Sequence, residues 1–175
     1  MELLKGFKVD KYLNKKPPSD NSFTTKEEVK ELTKIPIREK FVKEKDDIKA
    51  SFNKIVPEGK LVQQLINESS PLIMKIKKHF NRPRPKVVAK KIKTKMEDME
   101  MASMKTPSYP SGHSAQGYLI AGVLGDKYPN KKKELNKLAK DISYSRRVAR
   151  AHYKSDSTFG ERIGKDMYNH VKQKI

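Results

Sequence analysis

Apolar side chains recur three or four positions apart in most segments of this 175-residue sequence, which is the spacing of one helix face. No segment alternates apolar and polar residues as a half-buried strand would. The longest series lies in the second half of the chain and consists of Leu135, Leu138, Ile142, Ser145, Ala149, His152 and Asp156. The sequence therefore predicts an all-α fold, a compact bundle whose helices bury their apolar faces against one another.

The same spacing, with its capping and proline signals, predicts where the helices lie. It indicates helices over about 59–80, 114–127 and 131–153 and a closing helix over about 159–172. Pro71 is a candidate break in the first of these helices.

The first 25 residues mix Lys, Pro, Ser and Asn, and this composition predicts a flexible tail. A short helix is expected next, with its N-cap at Thr24 or Thr25, followed by a second helical segment over 37–54. Residues 26–175 are expected to form a single helical domain, because a chain of this length supports one core but not two.

The composition limits the classes of protein that remain. Forty Lys and Arg residues against 21 Asp and Glu give a formal charge of +19, which favours solubility and non-specific attraction to polyanions. The absence of cysteine excludes a disulfide framework and a thiolate nucleophile. We see neither the apolar run of roughly 20 residues that a membrane span requires nor a secretory signal, so we expect a cytoplasmic protein. The sequence does not indicate an oligomeric state.

The segment SRRVARAHYKSD places a histidine, a carboxylate and several arginines close together. On the predicted helix, His152 and Asp156 are four residues apart and share a face, so the carboxylate can accept a hydrogen bond from one imidazole nitrogen. The other nitrogen is then free to act as a nucleophile or base. The preceding arginines offer planar donors for an oxyanion. The alternative is a basic amphipathic helix end with an incidental histidine.

Two further segments carry residues suited to anions. In KKHFNRPRP, two X-Pro steps hold Arg82 and Arg84 in an extended chain just after a helix end, which favours anion binding over a simple helix terminus. In PSGH, the backbone N–H groups of Ser111, Gly112 and His113 lie at a predicted helix N-terminus, where an anion can bind beside an imidazole. The alternative for PSGH is that Ser111 is only an N-cap.

Taken together, the three segments resemble the signature of the type 2 phosphatidic acid phosphatase superfamily, which includes bacterial non-specific acid phosphatases and vanadium haloperoxidases. Its pattern is Lys, six residues, Arg-Pro; then Pro-Ser-Gly-His; then Ser-Arg, five residues, His, three residues, Asp. Every fixed position matches across roughly residues 60–165, with the blocks beginning at Lys77, Pro110 and Ser145. The first block also fits as Lys75 with Arg82, and the register of Lys77 with Arg84 is preferred.

The resemblance implies a helical bundle of the acid phosphatase type and a role for each signature residue. His152 would attack phosphorus and form a phosphohistidine, Asp156 would hold its tautomer, and His113 would protonate the leaving alcohol and then activate water. The phosphate oxygens would be bound by Lys77, Arg84, Ser111, Gly112 and Arg146. No metal or other cofactor is implied, and vanadate and phosphate would be inhibitors.

These observations predict a metal-independent phosphatase for small soluble phosphomonoesters, with a bell-shaped pH profile on the acid side. Residues 86–107, a short helix or a mobile flap, are expected to influence specificity. The alternatives are a basic nucleic-acid-binding protein without catalysis, a phosphotransferase, or a lipid phosphatase of the same superfamily. The absence of predicted membrane spans argues against a lipid substrate.

Overall fold

The computed structural model describes residues 1–175 and contains α-helices and short 3-10 helices but no β-strand, which confirms the all-α prediction. No helix has both the length and the apolar character needed to cross a bilayer. The helices are α1 (Phe23–Thr33), α2 (Glu39–Asp46), α3 (Ile48–Asn53), α4 (Gly59–Phe80), α5 (Pro85–Lys91), α6 (Gly112–Lys127), α7 (Lys132–Val148) and α8 (Lys154–Val171). Short 3-10 turns cover Asp10–Tyr12, Ala102–Lys105 and Pro129–Lys131.

Helix α6 lies at the centre of the core and packs against α4, α7 and α8. Its small residues let the neighbouring helices approach closely, and α8 contributes small residues of its own. A Cβ added at Gly160 or Gly164 of α8 would overlap the backbone carbonyl of Ser111 or Ala115. This close packing brings the N-terminal turn of α8 against the N-terminus of α6, where the PSGH segment lies.

The first 25 residues are packed against the core, in contrast to the flexible tail that their composition predicts. Leu3, Leu4, Val9 and Tyr12 are buried, and the Tyr12 hydroxyl donates a hydrogen bond to Asp166 of α8. These few apolar side chains, dispersed among lysines, supply enough buried surface to hold the segment.

Three predicted details of the N-terminal half were wrong. The N-cap of α1 is Ser22, whose side chain accepts a hydrogen bond from the Thr25 N–H. The segment 37–54 forms two helices because Asp47 leaves the helical conformation and caps α3. Helix α4 continues through Pro71 without a break, since its inward face is buried along its length.

The prediction of one helix over 131–153 was also wrong at its C-terminal end. Helix α7 ends at Val148, and Arg150 has a positive φ of 59° in the turn that follows. The Arg150 guanidinium donates hydrogen bonds to the carbonyl oxygens of Leu32, Thr33, Ile35 and Glu97, which stabilises this turn. His152 therefore lies in the connection between α7 and α8, and Asp156 lies in the first turn of α8, which begins earlier than predicted.

Candidate active site

A cavity of about 240 Å³ opens between α4, α6 and α7 and the segments that connect them. Two of the residues that line it are hydrophobic, Ile73 and Met74, and the rest are polar, charged or glycine. The others are Ser70, Lys77, Arg84, Ser103, Thr106, Gly112, His113, Gln116, Arg146 and His152. The three separate sequence motifs thus meet in one cavity.

His152 and Asp156 are in contact although they do not share a helix. Nδ1 of His152 lies 3.0 Å from Oδ2 of Asp156, and His152 is only 2% exposed. Oδ2 also accepts hydrogen bonds from the Tyr153 N–H at 3.1 Å and from the Ser108 hydroxyl. A carboxylate that accepts from Nδ1 fixes the hydrogen on that nitrogen, so we infer a tautomer in which Nε2 carries the lone pair.

Arg84 lies on the other side of His152. Its Nη1 atom is 3.0 Å from Nε2 of His152 and 2.9 Å from the carbonyl oxygen of Ala151. Its remaining N–H groups donate to Ser103 and Thr106, so all five guanidinium donors have protein acceptors. Burial lowers the pKa of Arg84 to about 10, which leaves the side chain positively charged at neutral pH.

Lys77 completes this wall of the cavity. Its ammonium donates to the carbonyl oxygen of Pro107 at 2.9 Å, and the side chain is buried. Burial, followed by the charge of Arg84, lowers the pKa of Lys77 to about 7. Lys75 is 61% exposed and pairs with Asp10 instead. The cavity therefore contains Lys77 and Arg84, the preferred register.

The PSGH segment forms the N-terminus of α6, as predicted. Gly112 and His113 line the cavity. Ser111 is the N-cap, and its hydroxyl accepts hydrogen bonds from the N–H and hydroxyl of Ser114. Its own N–H donates to the carbonyl oxygen of Asp156. Ser111 is buried and does not line the cavity, so a contact between Ser111 and phosphate stays a prediction.

Asp46, at the end of α2, is a site residue that sequence reasoning missed. Nε2 of His113 lies 2.9 Å from the Asp46 carbonyl oxygen and 3.3 Å from its Oδ1. The same Oδ1 accepts from Nη1 of Arg146 at 3.2 Å. Asp46 is 67 residues from His113 and lies in a lysine-rich helix, so no local pattern distinguishes it.

Arg146 is fully buried beneath the cavity. Besides Asp46, its guanidinium donates to the Ser103 hydroxyl at 2.7 Å, while its Nε has no partner. Arg146, Lys77 and Arg84 bring three cationic groups to a cavity whose nearest carboxylates are those of Asp46 and Asp156. This excess of positive charge favours an oxyanion.

Both imidazoles are biased towards their neutral forms. Burial lowers the pKa of His152 well below its usual value, and the charges of Arg84, Lys77 and Arg146 act in the same direction. Burial and Arg146 also lower the pKa of His113, whereas Asp46 acts to raise it. A neutral His152 keeps the lone pair that a nucleophile requires.

An imidazole held by a carboxylate and facing three cations, on an all-α scaffold, is suited to binding an oxyanion next to a nucleophile. A family model for the PAP2 superfamily matches residues 60–165, more than half of the chain. The chain belongs to the PAP2 superfamily.

The sequence is also similar to curated bacterial enzymes. It is 38% identical over 88 residues to a non-specific acid phosphatase of Salmonella typhimurium and 36% identical over 88 residues to one of Salmonella typhi. Each match covers 50% of this chain and 35% of the relative, so the chain matches about a third of the length of these relatives.

Proposed function

We propose that this protein is a metal-independent phosphatase that hydrolyses small soluble phosphomonoesters through a phosphohistidine at His152. The observation that carries the proposal is the position of His152, with Nδ1 on Asp156 and Nε2 facing Arg84 inside the cationic cavity. Membership of the PAP2 superfamily and similarity to acid phosphatases support the same reaction class.

In the first step, the lone pair on Nε2 of His152 attacks phosphorus, and the bond from phosphorus to the ester oxygen breaks. The leaving oxygen takes a proton from His113, so an alcohol departs and a phosphoryl group stays on His152. Asp156 stabilises the positive charge that develops on the attacking imidazole.

In the second step, a water molecule attacks phosphorus while His113 accepts one of its protons. The bond from phosphorus to Nε2 breaks, its electron pair returns to the imidazole, and inorganic phosphate leaves. Because the carbonyl oxygen of Asp46 can only accept, Nε2 of His113 keeps its hydrogen throughout. The proton that His113 gives and takes is therefore on Nδ1.

The phosphoryl oxygens would be bound by Lys77, Arg84, Arg146 and the N–H of Gly112, with Ser111 as a further candidate. These groups act where charge accumulates in the transition state. The substrate oxygen would replace His152 as the partner of Arg84, and this exchange frees the nucleophile.

The size and lining of the cavity favour a small polar leaving group. A volume of about 240 Å³ with two hydrophobic residues accommodates a phosphate and a short hydrophilic moiety better than an acyl chain. Ser103 and Thr106, from the segment over 86–107, line the cavity, which supports the proposal that this segment influences specificity. Transfer of the phosphoryl group to an acceptor alcohol would use the same intermediate.

The test is turnover of p-nitrophenyl phosphate in the presence of EDTA and inhibition by vanadate. Wild type should be active and vanadate-sensitive, and His152→Ala should be inactive. His170→Ala is the matched control, since His170 hydrogen-bonds to the carbonyl oxygen of Lys5, packs against the ring of Phe7 and does not line the cavity. Full activity of His152→Ala excludes the mechanism. Salt-dependent DNA binding without phosphatase activity would favour the nucleic-acid-binding alternative, to which the charge of +19 points.

A further inference from the structure

Arg82 binds the carboxylate of Asp156 but does not line the cavity. Nη1 of Arg82 lies 2.7 Å from Oδ1 of Asp156 and 2.8 Å from the Ser155 hydroxyl. Arg82 is 2% exposed, and its guanidinium lies 3.7 Å from the centre of the Tyr153 ring. The guanidinium is therefore fixed by stacking on one side and by hydrogen bonds at its edge.

Glu28 of α1 forms the outer end of this arrangement. Its carboxylate accepts hydrogen bonds from the N–H of Ser155 at 2.7 Å and the hydroxyl of Ser155 at 2.8 Å. Its Oε2 is also 3.4 Å from Nη2 of Arg82, and the side chain is 11% exposed. Glu28 lies outside the residues that match the family model, so α1 adds a group to the site from beyond that region.

The two carboxylate oxygens of Asp156 have different hydrogen-bond partners. Oδ1 accepts from Arg82, whereas Oδ2 accepts from His152, the Tyr153 N–H and the Ser108 hydroxyl. A bond at Oδ1 prevents rotation of the carboxylate, so that Oδ2 stays in line with Nδ1 of His152. The charged groups facing Asp156 are His152 and Arg82 and, at longer range, Lys77 and Arg84. The titratable hydroxyls of Tyr109 and Tyr153 also interact with its charge. Burial raises the pKa of Asp156, and Arg82 opposes that rise.

We propose that Arg82, held in place by Glu28, is a positioning residue that fixes the ionised Asp156 carboxylate and thereby the reactive tautomer of His152. This inference rests on the proposed function, because it assigns Arg82 to the reaction of His152. Arg82 acts through Asp156 and does not touch the substrate.

The experiment compares Arg82→Met, Arg82→Lys and Glu28→Gln with two matched controls, Arg162→Lys and Glu27→Gln. Arg162 lies on α8, the helix of Asp156, but is exposed. Glu27 lies on α1 next to Glu28 but pairs with Lys30. Turnover of p-nitrophenyl phosphate is measured against pH, and folded enzyme is quantified by gel filtration and far-UV circular dichroism.

Arg82→Met should lower kcat about 10- to 100-fold with KM little changed, as expected for loss of a group that orients a reacting side chain. The acidic limb of its kcat–pH profile should move to higher pH, because the hydrogen-bonded pair of His152 and Asp156 takes up a proton more readily without the charge of Arg82. Arg82→Lys should recover part of kcat, and Glu28→Gln should show a smaller loss in the same direction. The controls should match wild type.

Wild-type kcat in the folded Arg82 variants, or a loss of kcat with an unmoved acid limb, would overturn the positioning role. If Arg82→Met does not fold, Arg82→Lys and Glu28→Gln decide the question by the same readouts. An inactive wild type would instead reject the proposed function, so the two failures are distinguishable.

Discussion

Nη1 of Arg84 lies 3.0 Å from Nε2 of His152, the nitrogen that the proposed mechanism uses as its nucleophile. In this arrangement Arg84 donates to the lone pair that must attack phosphorus. In the proposed mechanism, the lone pair becomes free when a substrate oxygen takes over that N–H, so that binding of the phosphoryl group and release of the nucleophile would be the same event.

Arg84→Lys should therefore damage both binding and chemistry. Lysine cannot reproduce the fork that contacts Ser103, Thr106 and His152 together, and loss of one such oxyanion donor costs about 100-fold or more in rate. Steady-state turnover of p-nitrophenyl phosphate should show kcat/KM reduced to that extent. Arg162→Lys is the control and should have the activity of wild type. If Arg84→Lys were equally active, Arg84 would have no role in binding the phosphoryl group.

Asp46→Asn should change the pH dependence through His113. Asp46 raises the pKa of His113, so removal of its charge lowers that pKa further, and the protonated acid survives only at lower pH. The basic limb of the kcat profile should move towards acid, with a loss of about 10-fold near neutral pH, the scale of one pKa unit. Glu44→Gln, an exposed neighbour on α2, should leave the profile unchanged, and an unmoved basic limb in Asp46→Asn would contradict the assignment.

The wild-type pH profile should be bell-shaped and centred on the acid side. The proposed mechanism requires neutral His152 together with protonated His113 and Lys77. As pH rises, His113 loses its proton through its lowered pKa and Lys77 through a pKa of about 7; as pH falls, His152 is protonated last because its pKa is lowered most. A flat profile between about pH 4 and 9 would count against this pairing.

Gly160→Ala should destabilise the fold where α8 meets α6. The added Cβ would overlap the carbonyl oxygen of Ser111, so α8 must shift away from the PSGH turn. We expect a loss of about 1–3 kcal/mol in the free energy of unfolding, the usual cost of overpacking, measured by urea denaturation. Lys165→Ala, at an exposed position on the same helix, should have little effect. An equal free energy of unfolding for the two variants would contradict the prediction, because the contact between position 160 and Ser111 would then tolerate a Cβ.

Much of the site could be predicted from sequence because its residues lie in short motifs with fixed spacing. His152, Asp156, His113 and Arg146 required only local patterns and their resemblance to a superfamily signature. The end of α7 could not be predicted, since Arg150 is held in its turn by carbonyl groups from around the end of α1, 115 to 118 residues away.

The acidic partners were missed for the same physical reason. Glu28 and Asp46 lie in charged helices where their neighbours look equivalent, and only tertiary packing brings them to Arg82 and His113. The sequence predicted that Arg82 binds an anion together with Arg84, and offered it as the alternative to Arg84 in the signature; for Arg82 the prediction of a place in the anion site was wrong, because its guanidinium is bound to Asp156. The structure separates the two, with Arg84 in the cavity and Arg82 behind Asp156.

The most direct test of a phosphohistidine at His152 is to trap the phosphoenzyme. Enzyme mixed with p-nitrophenyl phosphate is quenched in alkali, which preserves phosphohistidine, and its peptides are analysed by mass spectrometry. We expect one phosphoryl group on His152, absent from His152→Ala and present in His170→Ala. Rapid turnover with the phosphoryl group on another residue, or with His152→Ala still forming product, would contradict it.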